Sequence, residues 1–197
     1  HTRDLIKSGM SVDKIVLESS GKKVDLTFSG SRWKVNGKYN ADRDLINVLF
    51  ATLQQAEPRR PVSTTQNDSV AVVVEKTGTK VTLFEGQQSV QHLYVGGNDS
   101  KTRAYFKSAN DDQVYLMTIP GYRVYVSGIF ELGENQWREK YAFPFNWRNF
   151  KRLVATFPRD PGQGFIVSQD NAGLISIEGL VATDTAKLNT FLDHVSL

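Results

Sequence analysis

Few side chains in this sequence are suited to acid-base or nucleophilic chemistry. The three histidines, His1, His92 and His194, share neither HxH nor HxxxH spacing, so they do not supply the paired imidazoles of a zinc site. There is no cysteine, which removes thiol nucleophiles, thiolate metal sites and disulfides. Ser31-Arg32-Trp33-Lys34 fits the S-x-x-K pattern of serine acyl enzymes, but that nucleophile belongs at a helix start and these residues alternate as a strand does. Ser19 and Lys22 repeat the spacing across a predicted turn, which shows how little it specifies. The Asp-Pro-Gly-Gln-Gly-Phe stretch at 160–165 lacks the third glycine and the following helix of a dinucleotide site, and reads as a turn. Asn110, Asp111 and Asp112 precede neither the glycine nor the bidentate Glu of a calcium loop. Asn67-Asp68-Ser69 and Asn98-Asp99-Ser100 match the glycosylation pattern and read as polar loops. No catalytic, metal-binding or cofactor-binding residue is assigned; no cofactor is expected, and no transition metal is expected to copurify.

The densest group of potential binding side chains lies at 137–152. There Trp137, Tyr141, Phe143, Phe145, Trp147 and Phe150 interleave with Arg138, Lys140, Arg148, Lys151 and Arg152. Rings beside cations suit a single-stranded nucleic-acid platform. They also suit a connector that wedges rings between two modules while long cations keep their charged heads in water. The second reading is preferred, with Trp137 and Trp147 expected to pack. Trp137, Arg138, Lys140, Trp147, Arg148, Lys151 and Arg152 are kept as a candidate partner surface, and nucleic acid is not an expected partner.

The elements that must position these groups follow from periodicity. Trp33, Val35 and Gly37 alternate with Lys34, Asn36 and Lys38, the period of a strand with one buried face. Leu45, Ile46, Leu49, Phe50 and Leu53 then fall at helical spacing, with Asp42 placed to cap the helix start. Two earlier alternating stretches meet around Ser20 and Gly21, which completes a βββα order over residues 1–57. The same order returns over residues 145–197. A shift of 142 positions sets Trp33 on Ile175, Val35 on Ile177, Asp42 on Asp184 and Phe50 on Leu192, so an internal repeat is expected with Asp184 as a second cap. Residues 58–144 hold a linker candidate around Pro58 and Pro61 and then a run of short strands. For Val70, Val72, Val73 and Val74, strand and helix both stay open: the residues favour strands, yet Asp68 and Gly78 could begin and end a helix. The expected fold is α+β, with two βββα-like end modules flanking a central antiparallel β meander.

Composition bounds the rest. A 197-residue chain with 40% hydrophobic and 23% charged residues is long enough for a real core, and no run approaches the roughly 18 apolar residues of a membrane helix. A soluble globular chain is expected. The net charge of +3 implies only a weak overall field. The opening residues show neither an initiator Met nor a signal-like apolar segment, so the chain reads as a mature or truncated portion, with any membrane tether upstream of His1.

Several separated motifs carry a family resemblance. Trp33 with Ala41-Asp42, Tyr94-Val95-Gly96, Ile119-Pro120-Gly121 and Trp137-Arg138-Glu139-Lys140, taken in order, resemble the DUF4340 family of bacterial envelope proteins, especially its Bacteroidetes-type members. The fourth motif has Glu139 where Asp is common in the family. The resemblance implies an extracytoplasmic domain, in the periplasm or cell envelope, tethered by an N-terminal segment and associated with membrane machinery such as transporter-like or gliding-related components. It brings no catalytic residue set. The expectation is therefore a non-enzymatic binding or accessory module with an envelope or membrane protein as partner; the alternative is a hydrolase-like enzyme whose site is assembled from dispersed residues.

Overall fold

Two alternating stretches, β1 (Lys14–Ser19) and β2 (Lys22–Ser29), form an antiparallel hairpin whose turn places Gly21 at φ +73°, the left-handed conformation that tight hairpin turns require. β3 (Arg32–Val35) returns along β2, and β4 (Tyr39–Asn40) along β3. The chain then enters α1 (Arg43–Gln55). Asp42 makes the transition, because one of its carboxylate oxygens accepts the Asp44 and Leu45 amides at 2.9 and 3.2 Å. Those donors have no partner within the helix. Asp42→Ala is expected to lower stability by about 0.5–2 kcal/mol, read as a shift in the urea unfolding midpoint.

The computed structural model describes residues 11–140, 151–156, 158–159, 162, 164–171, 175–179 and 190. The chain divides into two units, His1–Glu139 and Lys140–Leu197. After α1, the first unit continues through β5 (Glu57–Pro61), α2 (Thr64–Thr77), β6 (Thr79–Glu85), β7 (Gln88–Gly97), β8 (Ala104–Ser108) and β9 (Val114–Thr118). It ends in a 3₁₀ turn at Gly128–Glu131 and the one-turn α3 (Glu134–Trp137). The fold is α+β. One nine-stranded antiparallel sheet has the order β4-β3-β2-β1-β6-β7-β8-β9-β5.

That order places β1 directly beside β6, so strands from either side of residue 57 share one sheet. The Pro-rich stretch read as a linker from sequence supplies β5, which pairs with β9 alone. Proline cannot donate to a ladder, and an edge strand is where that loss is tolerated. The valines that left strand and helix open lie in α2, which runs from Ser63 as N-cap to Gly78 as C-cap. Asp68 is not its cap. Asn67 instead ties the first turns of α2 to the β8–β9 connection, accepting the Val114 amide at 2.8 Å and donating to the Asp112 carbonyl at 2.9 Å. Tertiary contacts here override the β preference of valine.

Alternation divides the sheet into two faces. Ile15, Leu17, Val24, Leu26, Val81, Leu83, Leu93, Val95 and Phe106 are buried in one core with Ile46, Leu49 and Leu53 of α1, and with Phe130 and Trp137. On the other parity, Gly96 lies under Val74 of α2, and Lys107 is buried with its ammonium 2.9 Å from Glu75.

The second unit contains β10 (Arg152–Ala155), β11 (Phe165–Gln169) and β12 (Ile175–Glu178), an antiparallel three-stranded sheet in sequence order around the buried Val167. Asp184, Leu192 and the remainder of the expected C-terminal helix lie outside the described residues, as do Trp147, Arg148, His1 and His194.

Candidate functional site

A cleft of about 780 Å³ lies at the β5 edge of the sheet in the first unit. Arg59, Arg60, Lys101, Arg103 and Arg123 line it, and no acidic side chain is among its lining residues. Five cations exceed the whole chain's net charge of +3, so the remaining residues sum to a slightly negative charge. Among the described residues, Arg59, Arg60, Arg103 and Arg123 form no ion pair. Lys101 alone has a partner, Glu131, at 2.8 Å.

Each cation is held by an identifiable local device. The β5–β9 ladder shifts register between Pro58 and Arg60, leaving Arg59 as the extra residue of a bulge. Neighbouring side chains of a regular strand face opposite sides. The bulge breaks that alternation and lets both arginines line the same cleft. Lys101 and Arg103 sit on the β7–β8 connection, where the Asn98 side-chain carbonyl accepts the Thr102 and Arg103 amides at 3.0 and 2.8 Å. Its amide nitrogen donates to Ser100 and Thr102. Lys101 has φ +52°, a conformation that non-glycine residues adopt with strain, and strain of this kind concentrates at functional loops. Arg123 follows a tight turn in which the Tyr122 amide donates to the Ile119 carbonyl at 3.0 Å and Gly121 has φ +81°. Proline followed by a left-handed glycine is the pattern of a type II turn.

The cleft also has an apolar component. Leu116, Met117 and Ala104 contribute from the strands, while Tyr122 and Val124 stand 65% and 54% exposed at its rim. Tyr125 completes one wall. Burial, together with the hydrogen bond it donates to Glu131 at 2.7 Å, keeps its phenol protonated well above the usual tyrosine range. Glu131 thus holds Tyr125 with one oxygen and Lys101 with the other. Gly97 makes room for this wall: a Cβ there would strike the Tyr125 hydroxyl and come within 2.7 Å of the Arg103 carbonyl. Gly97→Ala is expected to destabilise by about 1–3 kcal/mol, as overpacking does, measured by urea unfolding.

The candidate surface at 137–152 is distributed differently. Trp137 is fully buried. The Arg138 guanidinium stacks 3.7 Å from the centre of the Tyr39 ring, and Arg138 bridges Ala41 through the backbone. The Asp42 amide donates to the Trp137 carbonyl at 2.8 Å and the Glu139 amide to the Asn40 carbonyl at 2.8 Å. The Trp-Arg-Glu-Lys motif therefore clasps the Ala-Asp helix start across about a hundred residues of chain and covers the β4 edge. Lys140 is exposed, as are Lys151 and Arg152 in the second unit.

The minor motifs take structural places. Ser31 and Lys34 lie at a turn and on β3, where the Lys34 ammonium donates to Asn40 at 2.6 Å. Asp111 accepts the Gln113 amide at 3.0 Å within a turn. His92, on β7, lies 3.4 Å from the Thr82 hydroxyl. Both glycosylation-pattern asparagines, Asn67 and Asn98, use their amides as braces. Among the described residues, no group of three His, Asp or Glu side chains is placed to hold a metal ion.

Sequence periodicity does not show the cleft, because its cations come from three places between residues 59 and 123. The available signal was Arg59-Arg60 between two prolines, where basic residues on a proline-interrupted strand mark a protected sheet edge.

These features define an α+β domain with an arginine-lined cleft at the edge of an antiparallel sheet. The chain belongs to the DUF4340 family, described as a domain of unknown function, whose family model matches residues 33–197. No curated protein and no solved structure matched the chain.

Proposed function

We propose that this chain is the extracytoplasmic part of a membrane-anchored bacterial envelope protein. It acts without catalysis, as a binding or accessory module for membrane machinery such as transporter-like or gliding-related components, and it engages an anionic component through the edge cleft. The observation that carries the binding reading is the convergence on one open cleft of four arginines that have no acidic partner among the described residues. Clustered like charges repel and contribute nothing to folding, so a recognition role accounts for them better than a structural one. The envelope location rests on the family resemblance and is compatible with a chain free of cysteine. Among the described residues no helix is long and apolar enough to cross a membrane; the proposed tether rests on the family resemblance alone. The second unit is read as a copy of the N-terminal βββα order.

The absence of cysteine makes location directly testable. Val48 is 49% exposed on α1, so a Val48→Cys reporter in the full-length protein carries one accessible thiol in this domain. A membrane-impermeant maleimide is expected to label it in cells with a permeabilised outer membrane and an intact inner membrane. Labelling at this position only after inner-membrane lysis would overturn the proposed location.

A further inference from the structure

We propose that the cleft receives an extended acidic peptide segment of a protein partner, with carboxylates on Arg59, Arg60 and Arg123 and an apolar side chain beside Tyr122 and Val124. This rests on reading the cleft as an anion site and names the class of ligand. Four of the five cations are arginines, whose planar forks match carboxylates in pairs of parallel hydrogen bonds, whereas lysine acts as a point charge. Lys101, the one lysine of the group, is paired with Glu131 at 2.8 Å, which leaves the arginines to meet a ligand.

Shape and chemistry then narrow the source of the anion. A bilayer surface is flat, whereas these arginines line a concavity. Single-stranded nucleic acid needs several stackable rings; of the two tyrosines lining the cleft, only Tyr122 is freely exposed, since Tyr125 is partly buried and bonded to Glu131. Exposed tyrosine beside arginine is the composition of a protein interface, where aromatic and arginine side chains carry most of the energy.

The backbone of β5 does not supply the recognition. Pro58 and Pro61 lack amide hydrogens and the bulge at Arg59 interrupts the edge, so strand addition is blocked. Side chains must do the binding. They are preorganised for it by the bulge, the Asn98-braced loop and the Pro120-Gly121 turn, which reduces the entropy lost on association.

The test uses the intact chain, a random dodecapeptide library and two variants, Arg59→Glu with Arg123→Glu and Arg59→Gln with Arg123→Gln, both first matched to the parent in unfolding midpoint. Peptides selected on the parent are expected to be acidic, with at least one aromatic or aliphatic residue. As labelled synthetic peptides they should weaken by about tenfold or more in either variant, and weaken between 50 and 200 mM salt as screening grows. Inorganic phosphate, vesicles with 30% phosphatidylglycerol and a dodecathymidylate are measured in parallel. If one of these binds through the same arginines while no acidic peptide does, the peptide assignment fails and the anion-binding cleft stands. If no probe responds to the arginine substitutions, both fail together.

Discussion

Trp137→Ala is expected to destabilise the chain by about 3–5 kcal/mol, the range for emptying a large aromatic site in a core. Trp137 is 0% exposed and packs in the core shared by the sheet, α1 and Phe130. Its own carbonyl holds the Asp42 amide at the start of α1, so movement of this residue disturbs both the core and a helix cap. The indole Nε1, however, is buried without a hydrogen-bond partner among the described residues, and an unsatisfied buried donor costs about 1–3 kcal/mol. Trp137→Phe removes that donor while retaining most of the ring, so it should be markedly milder than Trp137→Ala. Urea unfolding of both variants checks the pair. A Trp137→Ala protein within about 0.5 kcal/mol of the parent, as surface substitutions usually are, would contradict the core described above.

Arg59→Glu combined with Arg60→Glu should show the opposite pattern. Both residues are exposed and, among the described residues, without ion partners, so stability should stay within about 0.5 kcal/mol of the parent. It should even rise slightly, because reversal relieves repulsion among the cleft cations. Binding of an acidic peptide should fall by about a hundredfold or more, since two attractive charges become repulsive ones at the centre of the contact. Anisotropy titrations alongside thermal unfolding separate these outcomes. Intact binding would remove the bulge from the site, and collapse of the fold would show the arginines to be structural.

The contrast between these two predictions shows which parts of the molecule local sequence patterns encode. Trp33, Val35, Asp42 and the stripe from Leu45 to Leu53 announced a strand, a cap and a helix because period and capping chemistry are local. Trp137, expected as a packing residue of a connector between modules and kept as candidate partner surface, is fully buried in the core of the first unit. The pairing of β1 with β6 brings together residues more than sixty positions apart, and nothing in either strand's periodicity names its partner. β5 escaped notice because Pro58 and Pro61 carry the mark of a loop, and only the edge position beside β9 makes them compatible with a strand. Helix α2 runs against the preference of its valines, held by Asn67 and by the Glu75–Lys107 pair. The cleft was hidden for the same reason as β1–β6: its arginines become neighbours only when β5, the β7–β8 loop and the segment after β9 reach one edge of the sheet. Gly121 of the Ile-Pro-Gly motif was visible earlier than its purpose, the turn before Arg123, while Gly97 beside Tyr125 was not singled out in the sequence.

The central claim is that the arginine-lined edge is where this domain meets its partner in the cell. The most direct measurement places a photo-crosslinking benzoylphenylalanine at Tyr122 of the full-length protein in its native cells, with the same residue at Val48 on α1 as a control of similar exposure. The account predicts a discrete protein adduct at 122 that disappears when Arg59→Glu and Arg60→Glu are added, and no such adduct at 48. Adducts of equal yield at both positions, or an adduct at 122 that survives the charge reversal, would contradict it.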